Sequence, residues 1–232
     1  MSEHTVKAFD NEIGELRALI AEMGGRAEAA IAEAMTALVQ RDQALAEKVV
    51  NNDKAIDALE ARIEKLVVQT IALRSPLADD LREIIAVLKI VGVVERIGDY
   101  AKNIARRVPL ISHRTSQEPL ALLPSMAQIT REMMKDVLDA FAARDPAKAM
   151  GVIDRDRAVD DFYNSVFRTM VTFMMENPKT ISESAHILFI AKNLERIGDH
   201  ATNIAEMVYY AATGTHPPER ARGADSLKPQ DD

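Results

Sequence analysis

The chain contains no cysteine. Disulfides, thiolate metal sites and cysteine nucleophiles are therefore excluded, and the absence is compatible with the cytoplasm. Tryptophan is also missing and aromatic residues make up 4% of the chain, so Ala, Leu, Ile, Val and Met must fill the core of a sequence that is 47% hydrophobic. No long apolar run exists. The most apolar stretch, residues 84–94, is short and contains Lys89, whereas a membrane span needs about 20 apolar residues. Met1-Ser2-Glu3-His4 does not begin a basic segment followed by an apolar one, so no signal peptide is expected and the protein reads as soluble. Positive charge is not in excess: the net charge is -7. This argues against general nucleic-acid binding, which needs clustered Lys and Arg, and leaves open a protein partner with a basic face. A phosphate-cradling glycine loop is absent, because Gly24-Gly25 lies in a helical pattern without the lysine and hydroxyl of a P-loop. No nucleophile is paired with a base.

What the chain does contain is a repeat. Glu95-Arg96-Ile97-Gly98-Asp99-Tyr100-Ala101-Lys102-Asn103-Ile104-Ala105 returns one hundred positions later as Glu195-Arg196-Ile197-Gly198-Asp199-His200-Ala201-Thr202-Asn203-Ile204-Ala205. Only the sixth and eighth positions differ. A match of this length marks a duplicated unit. Each copy keeps two carboxylates at i and i+4, which lie on one helix face and repel by a few tenths of a kcal/mol. Each also keeps a glycine, which costs about 1 kcal/mol relative to alanine in a helix interior. A helix optimised for stability alone would keep neither; close helix packing is one reason for the glycine.

The remaining pattern is helical. Ile13, Leu16, Leu19 and Ile20 begin a 3.6-residue stripe that continues through Ala30, Ala34 and Leu38, with Gly24-Gly25 as a bend. Asp42 is an N-cap for a second helix running to about Leu73. Ser75-Pro76 breaks it, Pro76 suits the first position of a third helix, and Asp79 and Asp80 favour that helix's first turn. The third helix is expected to reach about Val108. A fourth covers roughly 124–143; Asp145-Pro146 opens a fifth; Asn177-Pro178 ends it; and Thr180 with Glu183 forms a capping-box pattern for a sixth. The expected fold is all-α, a tandem duplication of two three-helix bundles: repeat one over 1–108, a linker over 109–120, repeat two over 121–212, and a disordered tail over 213–232.

A second acidic pair occurs in each half, Asp53 with Asp57 and Asp156 with Asp160. These pairs follow Arg41-Asp42 and Arg144-Asp145 at a shared offset of 103 residues. The Asp53/Asp57 and Glu95/Asp99 pairs lie at nearly equal distances before and after the Ser75-Pro76 turn, about 30 Å from it along each helix. The hairpin therefore brings four carboxylates to one level, and Asp156, Asp160, Glu195 and Asp199 repeat the arrangement around Pro178. Asn103 and Asn203 extend the stripe by one turn. Glu60 and Glu64 continue it in the first half, where the second has Tyr163 and Phe167, so the two sites are expected to differ in charge and metal content. Carboxylates this close repel unless a cation or proton intervenes. An all-oxygen ligand set suits ferric iron, magnesium, manganese or calcium, with zinc as a further option. The alternative is a solvated acidic face paired locally with Arg96, Lys102 or Arg196. Two other classes stay open: a carboxylate-cluster metal-dependent hydrolase or oxidase, and a structural scaffold. Glu183 and His186 have di-iron spacing, but His186 lies nine residues before Glu195, about half a helical revolution away, and faces off the stripe. His200 is expected at the surface.

The two motif copies, together with Phe9-Asp10, Met23-Gly24, the Asp53-to-Glu60 segment and Asp80-Leu81-Arg82, closely resemble the PhoU family of phosphate-specific transport accessory proteins, over about residues 4–211. The turn Ala72-Leu73-Arg74-Ser75-Pro76 departs from the more basic or Gln-containing turn expected there. The resemblance implies the same pair of three-helix bundles. It implies multinuclear iron or zinc held by Asp53, Asp57, Glu95 and Asp99 and by Asp156, Asp160, Glu195 and Asp199. The all-oxygen donor set keeps magnesium or manganese as alternatives, and the stripe positions of Glu60, Asn103 and Asn203 make them additional or supporting groups. It implies a non-enzymatic, cytoplasmic negative regulator of the phosphate-starvation response that also restrains phosphate uptake. The implied partners are the nucleotide-binding subunit of the phosphate ABC transporter, a phosphate-sensing histidine kinase and a second copy of the chain, with the membrane approached only through partners.

Overall fold

The computed structural model describes residues 2–111 and 120–218. Six long helices run through them: α1 (Ser2–Gln40), α2 (Gln43–Arg74), α3 (Ala78–Ala105), α4 (Leu123–Ala143), α5 (Pro146–Glu176) and α6 (Ile181–Thr213). Short 3-10 turns occupy Val108–Leu110 and Pro178–Thr180, and no strand occurs among the described residues. The linker residues 112–119 and the tail residues 219–232, for which disorder was expected, lie outside the described residues.

The duplicated grammar produces duplicated turns. Arg41 and Arg144 each adopt the left-handed conformation, with φ 57° and 51°. Asp42 and Asp145 then close the preceding helix through their backbone N–H, donating to Ala37 O and Ala140 O at 2.9 Å each. The same two aspartates open the next helix through their side chains. Asp42 Oδ1 accepts from Leu45 N at 3.0 Å, and Asp145 Oδ1 from Ala147 N and Lys148 N at 2.9 and 3.0 Å. One residue thus ends one helix and caps the next, which holds the reversal to two residues.

Helix α1 runs without interruption through Gly24-Gly25. Two of the expected local signals resolve differently. Pro76 is not the first residue of α3. Ser75 takes the left-handed C-cap of α2 (φ 49°), Leu77 is extended, and α3 begins at Ala78, because reversing the chain uses all of residues 75–77. Thr180 does not form a capping box. It has near-helical φ and ψ of -88° and -5° as the 3-10 turn runs directly into α6. Its hydroxyl donates back to Asn177 O at 2.7 Å and Phe173 O at 3.2 Å. In addition, α3 stops at Ala105, short of Val108, where the 3-10 turn around Pro109 begins.

Helices α1, α2 and α3 pack together, as do α4, α5 and α6, and the two triplets meet through α3 on α6 and α1 on α4. One continuous core results. It is almost wholly aliphatic: Leu16, Ile20, Met23 and Ile31 of α1, Ile84, Ile90, Ile97 and Ile104 of α3, and Met126 of α4 are fully buried, whereas Phe141 is the sole buried aromatic side chain among the described residues. Each such aliphatic side chain contributes roughly 1.5–3 kcal/mol on leaving water. Tyr100 and His200, which hold the same motif position, stack on each other with ring centroids 5.4 Å apart and planes 15° apart. Two equivalent residues touching one another place an approximate two-fold axis between the repeats. Glu83, buried on α3, accepts from Arg17 Nε of α1 at 2.8 Å and pairs with the guanidinium of Arg144 from the α4–α5 turn. This buried carboxylate ties the first triplet to the second.

The adjacent glycines of α1 have opposite surroundings. A Cβ on Gly24 would stand 2.2 Å from Leu138 Cδ1 of α4, whereas one on Gly25 would meet nothing within 4 Å. Gly24→Val is expected to destabilise the protein by about 1–3 kcal/mol through overpacking, and Gly25→Ala to stabilise it by up to about 1 kcal/mol. Thermal unfolding of both variants checks this; equal shifts would contradict the α1–α4 contact.

Candidate metal centre

The α2–α3 hairpin does bring the first set of carboxylates together. Asp53 is buried on α2 with Asp57 exposed one turn on, and Glu60, Glu95 and Asp99 are half-buried. Burial raises the Glu95 carboxyl to about 7, helped by Asp99, Glu60, Asp57 and Asp53 in that order. Five carboxylates therefore feel one another. Burial likewise raises Glu60, with Glu64, Asp57 and Asp99 adding to it. One cation answers them. Lys102 Nζ crosses from α3 to pair with Asp53 Oδ2 of α2, and it lies 2.5 Å from Asp99 Oδ1 on its own helix. Burial works against its charge, but the bonds to Asp53 and Asp99 prevail and its pKa is raised.

The second set, on α5 and α6, has the same frame and a different cation. Asp156 is buried, Asp160 and Asp199 keep surface in solvent, and Glu195 is half-buried. Crowding around the Asp199 carboxyl removes enough water to push it up to about 6, with Glu195 and Asp156 adding to the shift and Lys192 opposing it. Asp160 is raised for the same first reason, then by Asp156 and Glu195. Lys192 Nζ lies 2.5 Å from Glu195 Oε1 and 5.2 Å over the Tyr163 ring. Glu195 Oε2 and Thr202 Oγ1 are both buried without a hydrogen-bond partner. An open cavity of about 1110 Å³ is lined in part by Asp156, Asp160, Asp199, His200, Thr202 and Asn203.

The duplicated glycines serve this arrangement. A Cβ on Gly98 would come within 2.8 Å of Ile56 Cδ1 and 3.6 Å of Asp53 Oδ1; one on Gly198 would lie 3.2 Å from Asp156 Oδ1 and 3.3 Å from Val159 Cγ1. Each glycine lets two helices close at the level of the buried aspartate. The supporting groups are less uniform. Asn103 is half-buried, whereas Asn203 is exposed and places Nδ2 3.4 Å from His200 Nδ1. His186 faces off the stripe, and Arg107 Nη1 lies 3.1 Å from its Nδ1. His200 is not a plain surface residue. It is half-buried against Tyr100, whose hydroxyl meets its Nε2 at 3.2 Å, and burial followed by Arg96 and Arg196 lowers its pKa. The rotation that carried it away from Asp199 carried it into the α3–α6 contact. Sequence reasoning missed Lys192, although its i,i+3 spacing to Glu195 was visible. It also missed Thr202, whose one signal was the Lys-for-Thr exchange between motif copies.

The donor chemistry fits a hard cation. Every candidate ligand is oxygen, burial and neighbouring carboxylates raise Glu95 and Asp199, and Glu195 Oε2 is a buried acceptor left without a donor. As placed, the side chains close on lysines, and among the described residues no group of three His, Asp or Glu side chains encloses a point that would hold a metal. A bound cation would supply charge neutralisation and a bridge between helices, and the residues that would hold it are the two sets above.

The family model for the PhoU domain matches residues 20–108 and 123–208. The chain is 55% identical to the phosphate-specific transport system accessory protein PhoU homolog of Zymomonas mobilis, over 97% of this chain and 94% of that protein. It is 45% identical to the Caulobacter vibrioides protein of the same description, over 92% and 94%. Among solved structures, that of PhoU from Pseudomonas aeruginosa superposes with a TM-score of 0.84 at 38% identity, covering 89% of this chain and all (100%) of that one. The phosphate transport system regulatory protein PhoU from Streptococcus pneumoniae also gives 0.84, at 28% identity, covering 91% and 100%.

Because the folded protein raises Glu95 from 4.5 to about 7, it holds that proton more tightly than the unfolded chain does. The stability from this group is full below the unfolded value and is lost as pH rises through about 7. In metal-free protein, Glu95→Gln is expected to flatten the fall in melting temperature between pH 5.5 and 8. At pH 8 it should add about 1 kcal/mol, after allowance for solvent screening. A variant less stable than the parent at every pH would contradict the crowding of these carboxylates.

Proposed function

The chain belongs to the PhoU family, and from that premise we propose that it is a negative regulator of the phosphate-starvation response and a modulator of phosphate uptake. The observation that carries this is the match to an accessory protein of a phosphate-specific transport system across 97% of the chain, both repeats included. In this reading the protein is an adaptor rather than an enzyme. It works in the cytoplasm beside the membrane, between the nucleotide-binding subunit of the phosphate ABC transporter and a phosphate-sensing histidine kinase, and it forms a homodimer. No described helix is long and apolar enough to cross a membrane, so partners supply the membrane contact. The acidic hairpins, on a chain of net charge -7, suit partners with basic faces, since complementary charge sets orientation and encounter rate.

Metal enters as a structural and sensing element. Iron or zinc, or magnesium or manganese, on the two carboxylate sets would neutralise the hairpins and fix the spacing of α2 from α3 and of α5 from α6. That would couple metal loading to the shape of the docking surface.

The test is alkaline phosphatase activity in phosphate-rich medium, with the chain deleted from its own organism and then restored. Deletion is expected to derepress the enzyme severalfold, and the wild-type chain to return it to baseline. Unchanged low activity on deletion would refute the regulatory role and return weight to an enzymatic one. A combined Asp99→Asn, Asp199→Asn chain that binds no metal yet represses fully would remove metal from the mechanism while leaving the role intact.

A further inference from the structure

We propose that the cavity between the first half of α3 and the end of α6 is a nucleotide site, in which Lys89 and Arg82 take the phosphate and the stacked rings of Tyr210 and His216 take the base. The site stands apart from the carboxylate sets, and the proposal does not depend on a metal ion.

The approximate two-fold supplies an internal comparison. The offset of one hundred positions between the motif copies pairs Ala86 with His186, Lys89 with Phe189 and Met207 with Arg107. Where the end of α3 meets the start of α6, this trio closes on itself. Arg107 Nη1 lies 3.1 Å from His186 Nδ1, and the guanidinium carbon sits 4.2 Å from the centroid of the Phe189 ring. The chain's own side chains fill that side through a polar contact and a cation–π contact. On the other side Ala86 ends at a methyl group, Met207 carries no charge, and Lys89 stands in place of the ring. An open cavity of about 410 Å³ is left there, lined in part by these three residues and by Arg82, Tyr210 and His216. Small-molecule sites have volumes of this order.

The charge changes along with the shape. The filled side presents two rings to an internal cation, whereas the open side presents two cations to whatever enters. Lys89 is exposed and makes no ion pair among the described residues. Arg82 Nη2 lies 2.5 Å from Asp79 Oδ1, but the Asp79 side chain is 77% exposed, so this pair neutralises the guanidinium weakly. Arg82 Nε is buried without an acceptor. The guanidinium carbon would stand 3.5 Å from a Cβ on Gly214, the C-cap of α6, which seats Arg82 against the end of that helix. Two cations near one cavity give charge-assisted bonds to phosphate oxygens.

The rest of the lining suits a planar body attached to that phosphate. In a chain that is 4% aromatic, Tyr210 and His216 stack here with centroids 5.0 Å apart and planes 22° apart. A base stacks on such a surface whatever its identity. Met207 and Ile85 add apolar wall, which inorganic phosphate alone would leave against water. Glu206, exposed, is the one carboxylate in the lining, and the hydroxyls of a ribose are donors that suit it.

The experiment is equilibrium dialysis of radiolabelled AMP against the chelator-treated full chain, with unlabelled adenosine, ribose 5-phosphate and inorganic phosphate as competitors. Saturable binding of AMP is expected, and each competitor should be weaker than AMP by about tenfold or more, since each lacks one of the two kinds of contact. Lys89→Glu and Tyr210→Ala should each weaken AMP by about tenfold or more. Asp199→Asn, in the neighbouring carboxylate set, should leave binding within about twofold, because additivity between separate sites is the rule. Ala86→His combined with Met207→Arg installs the chemistry of the filled side and should abolish binding; if that chain does not fold, Lys89→Glu and Tyr210→Ala decide. No saturable binding at millimolar AMP, undiminished binding by folded Lys89→Glu, or loss of binding in Asp199→Asn alone would overturn the site. Displacement of AMP by inorganic phosphate as readily as by unlabelled AMP would overturn its assignment to a nucleotide.

Discussion

A carboxylate withdrawn from water between two helices must be met by positive charge, by a proton or by hydrogen-bond donors, because an unpaired buried charge costs several kcal/mol. This chain withdraws three in its described core, Asp53, Glu83 and Asp156, and much of its organisation follows from how they are met. Glu83 takes two guanidinium groups, one from each triplet, and so holds the triplets in register. Asp53 takes Lys102 from the facing helix and so holds α2 to α3. Around these fixed points the exposed or half-buried carboxylates crowd until Glu95 and Asp199 titrate near neutrality. In the clusters, a proton and a lysine share the work of neutralising this charge.

Duplication explains why the crowding exists twice, and divergence explains why the halves are unequal. The glycine in each motif copy brings the facing helix close to the buried aspartate on both sides of the approximate two-fold. The stacked Tyr100 and His200 mark where that axis passes. The polar groups around this shared frame differ: Lys102 against Thr202, Glu60 against Tyr163, and Lys192 without a counterpart, since Gly92 holds its position. A frame kept by packing, with changing charge around it, surrounds the two hairpins with different cations, Lys102 in the first and Lys192 in the second.

Much of this was legible in the sequence because it depends on counting along helices. Asp42 and Asp145 marked helix starts through cap chemistry that acts within three residues. The meeting of Asp53 with Asp99 and of Asp156 with Asp199 followed from equal distances to a turn. The failures share a cause: each depended on something off the helix in question. Thr180 lost its cap role to a 3-10 turn that no local spacing announces. Pro76 was displaced from α3 by the left-handed Ser75 before it. His200 was placed by its angle from Asp199, but its environment is set by Tyr100 of the other repeat. Lys102 was visible as a possible salt-bridge partner. Its reach to Asp53, 49 positions away, depends on the spacing of α2 and α3.

The most direct measurement is an anomalous difference map from crystals of the full chain grown or soaked with Mn²⁺. The expected result is a peak against the carboxylates of a hairpin, either Asp53, Asp57, Glu95 and Asp99 or Asp156, Asp160, Glu195 and Asp199. The absence of any peak would contradict the assignment of these carboxylates to metal altogether.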